Sequence, residues 1–140
     1  MTDGVGVAPI DLVLETGADP ELVWRTLTDP ERVTLWFTKA SVLGRPGDTY
    51  RLDFGDGTVV SGEILAIEPG RSFSHRWAWE DADTATTTVS WSVEAAGDGA
   101  RVRLFHDGWV EAGLDASARD AHAGYWSGYL ADLRDIFEER

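Results

Sequence analysis

The stretch ELVWRTLTDPERVTLWF, Glu21 to Phe37, decides how the chain folds. It follows an Asp19-Pro20 pair and contains a second one at Asp29-Pro30. Aspartate accepts hydrogen bonds from the free N–H groups of a first helical turn, and proline tolerates the first helical position because its missing N–H would be unpaired there anyway. Two short helices are expected. Leu22, Val23 and Leu27 share a face of the first, flanked by Trp24, and Val33, Trp36 and Phe37 share a face of the second. Helices this short do not stand alone in water. Their rings must dock on something larger, and they either fill a core or line a space in which the protein holds a ligand.

The larger element is a β meander. PIDLVLET, before the helices, alternates apolar and polar residues and reads as a strand. After them come DTYRLDF (Asp48–Phe54), TVVSGEILAIE (Thr58–Glu68), RSFSHRWAWE (Arg71–Glu80), TATTTVSWSVE (Thr84–Glu94) and ARVRLFHDGW, separated by turn signals at Gly55–Gly57, Pro69-Gly70 and AAGDGA. Hairpin-length connections make the sheet antiparallel. Period-2 alternation puts Phe73, His75, Trp77 and Trp79 on one face, with Val89, Trp91 and Val93, and Val102, Leu104 and His106, on the corresponding face of their strands. Arg76, Arg101 and Arg103 fall on the solvated face.

A long helix from about Asp115 to Glu139 closes the chain. Ala118, His122, Tyr125, Trp126, Tyr129, Leu133, Ile136 and Phe137 form its apolar face. Ala121, Gly124, Gly128 and Ala131 form a stripe of small residues. Interior glycines cost a helix roughly 1 kcal/mol each, so the stripe predicts close backbone approach to the sheet or to a partner. The expected order is one strand, two short helices, about six antiparallel strands and a long helix, in an α+β fold of one domain over residues 1–140 with residues 1–8 frayed.

In this order the blocks VWRTLTDPERVTLWF, SGEILAIEPG, FSHRWAWE, RVRLFHDGW and GYWSGYLADL resemble the activator-of-heat-shock-ATPase homologue-like family. That family is a branch of the START superfamily (SRPBCC, helix-grip proteins, related to the birch pollen allergen). No block is decisive alone; the ordered set, from about residue 9 to residue 137, is specific. The resemblance implies a helix-grip fold, a curved antiparallel sheet wrapped around the C-terminal helix, with a cavity between them that holds an apolar or amphipathic ligand in many members. A bent sheet under one helix leaves interior space for large side chains or a ligand, which agrees.

Seven tryptophans in 140 residues are many. Large rings dominate cores, burying roughly 150–250 Å² each, so packing accounts for most of them singly. As a group, Trp77, Trp79, Trp91 and Trp126 are expected to face one interior, with Trp36 and Phe37 closing one end at the cavity mouth and Trp24 anchoring the first helix. His75, His106 and His122 should face the same interior. A histidine on an apolar face is ordinarily a core residue with satisfied nitrogens; three together could also hold a ligand's polar end or move a proton near neutral pH. Tyr125 and Tyr129 are candidate partners for them. The expected ligand-binding set is Trp36, Phe37, His75, Trp77, Trp91, His106, His122, Trp126 and Tyr129.

Other chemistries find little support. With no cysteine, no HExxH and no close histidine pair at ligand spacing, no metal site and no cofactor are expected. Asp81 and Asp83 could at most hold a cation weakly from a loop. GYWSGY is not a nucleophile elbow, GVGVAP is not a dinucleotide fingerprint, there is no P-loop, and Glu63 could face either way. A net charge of −13 repels nucleic acid and anionic membranes. The first residues have neither a basic n-region nor a long apolar run, so a cytoplasmic protein is expected. The leading expectation is binding of a small hydrophobic or aromatic molecule. Two others stand beside it: an enzyme of aromatase/cyclase or hydrolase-like type, with His75 or His106 as acid/base and Tyr129 as donor, and a chaperone-docking module, for which the chain lacks room for the additional N-terminal domain of the eukaryotic activators. A homodimer through the Gly124/Gly128 stripe or a sheet edge is compatible with the sequence.

Overall fold

The computed structural model describes residues 7–41, 45–55, 57–80 and 86–138. Strand β1 (Ile10–Thr16) leads into helices α1 (Pro20–Thr28) and α2 (Pro30–Trp36), and strands β2 (Lys39–Ala40), β3 (Thr49–Asp53), β4 (Val59–Glu68), β5 (Ser72–Trp79), β6 (Thr87–Ala96) and β7 (Gly99–Asp107) precede helix α3 (Ala116–Glu138). The sheet has seven strands in the order β1-β7-β6-β5-β4-β3-β2, each pair antiparallel. This is the expected helix-grip architecture. The two-residue β2 is too short to leave a periodic signal, and the aspartates at 81 and 83 lie outside the described residues.

Both Asp-Pro devices work as read. Asp19 accepts from Glu21 N–H at 2.8 Å and Asp29 from Glu31 N–H at 3.0 Å. Asp115 likewise accepts from Ala118 N–H at 3.0 Å at the start of α3. Val23, Leu27, Val33 and Trp36 are buried. Trp24 is only half-buried, set edge-on against Phe73 with ring centroids 5.6 Å apart, so it packs at the rim of the core.

The alternation on β5, β6 and β7 is realised. Phe73, His75, Trp77, Val89, Trp91, Val93, Val102, Leu104 and His106 are all buried. On the opposite face Arg103 pairs with Asp11 at 2.6 Å and Arg101 with Glu15 and Glu94 at 2.9 and 3.0 Å, tying β7 to its two neighbours at the surface. The β4–β5 register shifts between Ile64 and Ala66, a bulge at the half-exposed Leu65. Bulges bend a strand and increase its twist. Upstream of it the Arg76 carbonyl comes so close to Gly62 that a Cβ there would lie 2.3 Å from the oxygen.

Trp126, Leu130, Leu133 and Phe137 are the buried residues of α3. Leu130 joins the core although the apolar face read from the sequence did not include it, and Tyr125, which that face did include, is 59% exposed. The small-residue stripe needs correcting as well. Gly124 and Gly128 are exposed, and a Cβ on either would meet nothing within 4 Å. No close approach to the sheet explains them.

Candidate functional site

The concave face of the sheet and α3 enclose a space that aromatic rings largely fill. Among the described residues two pockets remain there, both partly open. One, of about 220 Å³, is walled by Phe37, Phe54, Trp77, Trp79, Trp126 and Tyr129, with Thr58, His122 and Tyr125 completing it. The other, of about 60 Å³, lies deeper against Trp36, Tyr50, His75, Trp77 and Trp91. Phe37, Trp77 and Trp126 border both. Larger hollows, such as one of about 450 Å³ over Ser74, Ser90, Arg103 and Phe105, lie on the outer face of the sheet and open to solvent.

Phe37 stands at the C-terminal end of α2, where the chain leaves helical geometry. Its ring is 4.6 Å from Tyr129, 5.4 Å from Trp126, 5.5 Å from Phe54 and 6.5 Å from Trp77, centroid to centroid. It is half-buried and borders both spaces. Trp36 is not at the mouth: it is buried, its indole N–H donates to the Thr26 carbonyl at 2.9 Å, and it meets Trp91 edge-on.

The three imidazoles face the interior, and their partners fix their protonation. An indole N–H only donates, so a ring nitrogen that receives it must carry a lone pair. Trp126 Nε1 donates to His106 Nδ1 at 3.0 Å, which leaves the proton on Nε2, facing the Thr87 hydroxyl at 2.6 Å. Trp79 Nε1 donates to His122 Nε2 at 3.0 Å, so Nδ1–H donates to the Ala118 carbonyl at 2.8 Å. His75 Nδ1 lies 3.1 Å from the Arg76 carbonyl, which also accepts from the Tyr50 hydroxyl. Burial holds His75 down to about 4. Burial, then the neighbouring His122 and His75, hold His106 down to about 3. Burial also lowers His122, against the opposing bond to Ala118. Tyr129 is raised, by burial first and then by Asp132 and Tyr125.

The partners anticipated for the histidines, Tyr125 and Tyr129, are not the ones they have; indoles, a threonine and backbone carbonyls take that place. His106 borders neither cavity and both its nitrogens are engaged, so it has no lone pair to offer as a base. His75 and Trp91 border the 60 Å³ space, and His122, Tyr129, Trp126, Trp77 and Phe37 the 220 Å³ one. The expected ligand-binding set left out Phe54, Thr58, Trp79 and Tyr125 of this wall; Phe54, on the same alternation as Tyr50 and Leu52, was the one whose period already pointed inward. Sequence reasoning also missed Trp109, fully buried beyond β7 and 4.4 and 5.1 Å from His106 and His122. Among the residues whose side chains are described, no Lys or Arg borders either cavity.

Residues 17–138 match the family described as activator of Hsp90 ATPase homolog 1-like protein. The chain belongs to that family. Among solved structures it is similar to DynU16, a protein of the dynemicin biosynthetic locus, with a TM-score of 0.84 at 23% identity over 93% of this chain and 47% of that one. The chain thus spans about half the length of DynU16. It is similar over nearly whole lengths to MLL2253 from Mesorhizobium loti, with a TM-score of 0.84, 21% identity and coverage of 94% and 98%. The Aha1 dimer from Colwellia psychrerythraea gives a TM-score of 0.78 at 21% identity, covering 94% of this chain and 96% of that one. These identities speak to the fold. No curated protein matches the chain. Among the described residues no helix is long and apolar enough to cross a membrane.

Proposed function

We propose that this family member binds a small hydrophobic or aromatic molecule in the 220 Å³ cavity between sheet and α3. The observation that carries this reading is the wall: seven Phe, Trp and Tyr rings converge on the cavity from the end of α2, the β3–β4 turn, β5 and α3. An engineered apolar cavity of about 150 Å³ takes up benzene, so this volume suits one or two rings. With no cationic side chain among the described residues of the wall and a net charge of −13, the ligand is uncharged or nearly so. Phe37, Trp77, Trp79, Trp126 and Tyr129 supply flat contact area, and His122 stays neutral beside them.

The test is titration of the protein with indane, a neutral one-ring hydrocarbon fused to a small aliphatic ring, followed by NMR. Saturable one-to-one binding should shift side-chain resonances of Phe37, Trp79 and Tyr129. Absence of saturation, or shifts confined to Ser90, Arg103 and Phe105 on the outer face, would overturn the reading.

A further inference from the structure

Among the described residues one buried side-chain nitrogen or oxygen has no hydrogen-bond partner, the indole nitrogen of Trp77. Buried N–H groups are almost always paired, and an unpaired one marks a missing partner or a functional role. The neighbouring indoles show the contrast. Trp36 donates to Thr26, Trp79 to His122, Trp109 to the His106 carbonyl and Trp126 to His106. Trp77 lies 5.6 Å from His106 and 6.4 Å from His122, ring to ring, but the acceptor nitrogens of both are already taken by Trp126 and Trp79. Among the described residues none accepts from Trp77 Nε1, although its residue is 95% buried and borders both cavities.

We infer that the molecule bound here is an uncharged one- or two-ring carbonyl compound whose oxygen accepts the hydrogen bond of Trp77 Nε1. This rests on the binding reading above and deepens it. A carbonyl oxygen is an acceptor that brings no donor of its own, so it satisfies Trp77 without creating a new unpaired group. A carboxylate would also accept, but among the described side chains neither cavity offers a cation to offset its desolvation. The two spaces together amount to about 280 Å³ (220 plus 60), which bounds the ligand at about two rings.

The experiment compares indane with indanone, the same skeleton carrying one ketone oxygen, on the wild-type protein and on Trp77→Phe. The ketone's own cost of leaving water is common to both proteins and cancels in the ratio of ratios. The preference for indanone over indane should be roughly tenfold greater in the wild type than in the variant, about 1.4 kcal/mol. In the wild type indanone should move the Trp77 indole N–H resonance downfield, and indane should not. That resonance needs no variant, so it decides the matter even if Trp77→Phe fails to fold. Equal preferences in both proteins, or an unmoved resonance under saturating indanone, would overturn the carbonyl assignment while leaving the cavity reading intact. Failure of both compounds to saturate would overturn the two together.

Discussion

Trp126 on α3 and His106 on β7 are joined by an indole-to-imidazole hydrogen bond of 3.0 Å, with Trp126 Nε1 donating to His106 Nδ1. The bond settles which nitrogen of a fully buried imidazole carries the proton, and it fastens the long helix to the sheet beneath it. The remaining N–H of His106 depends on one hydroxyl, that of Thr87. Thr87→Val keeps the shape and removes the acceptor, so a buried donor is stranded at a cost of about 1–3 kcal/mol. Urea unfolding should show that loss, and the His106 Nε2–H proton, protected in the wild type, should exchange rapidly in the variant. A Thr87→Val protein as stable as the parent, with the proton still protected, would contradict the pairing.

Acid should destabilise the fold through these imidazoles. In the unfolded chain each titrates near its ordinary 6.5, whereas His75 and His106 in the folded state are held at about 4 and about 3. Between those limits the unfolded chain binds protons that the folded chain refuses, so the contribution is complete above pH 6.5 and is lost as pH falls toward 4 and 3. Each group contributes a slope of up to about 1.4 kcal/mol per pH unit in that window. Relief of repulsion among the acidic residues acts in the opposite direction, which makes a fall in stability diagnostic. Unfolding midpoints measured from pH 8 to pH 5 should be level down to about 6.5 and then decline; a midpoint at pH 5 equal to that at pH 7.5 would refute it.

Glycines on the sheet and on α3 should respond in opposite ways to the same substitution. At Gly62 an added methyl would sit 2.3 Å from the Arg76 carbonyl oxygen, the acceptor shared by Tyr50 and His75. Gly62→Ala must displace β5 or those two side chains, and a loss of about 3 kcal/mol or failure to fold is expected. Gly124→Ala and Gly128→Ala meet no atom and lie in a helix, so each should stabilise by roughly 0.5–1 kcal/mol. Thermal unfolding of the three variants checks the signs. A destabilising Gly128→Ala would point to a contact of α3 outside this chain.

The alternation on β5, β6 and β7 and the two Asp-Pro caps made the sheet and helices legible, because period and capping are local properties of the chain. What pairs with what across the interior was not. Trp79 meets His122 and Trp126 meets His106 over separations of 43 and 20 residues, set by how α3 lies on the sheet. The size of the cavity was equally hidden. It depends on whether Phe37, at an irregular helix end, turns its ring inward, and no periodicity governs that residue. Trp109 sits beyond the last strand, where the alternation stops, and its burial follows from the chain's path back to α3.

Phe37 is one of three rings, with Trp77 and Trp126, that border both the 220 and 60 Å³ spaces, and its removal should change ligand size more than ligand class. Phe37→Ala deletes a ring in contact with Trp36, Trp77, Trp126, Tyr129 and Phe54. Truncating a buried Phe costs about 3–5 kcal/mol, and half-burial places this one at or below the lower end. The two spaces should then join, admitting a neutral three-ring hydrocarbon such as fluorene, which the parent should exclude, while indane loses affinity with the ring that held it. Competition between indane and fluorene on parent and variant reads this directly. Fluorene bound equally by both proteins would mean that Phe37 does not divide the interior.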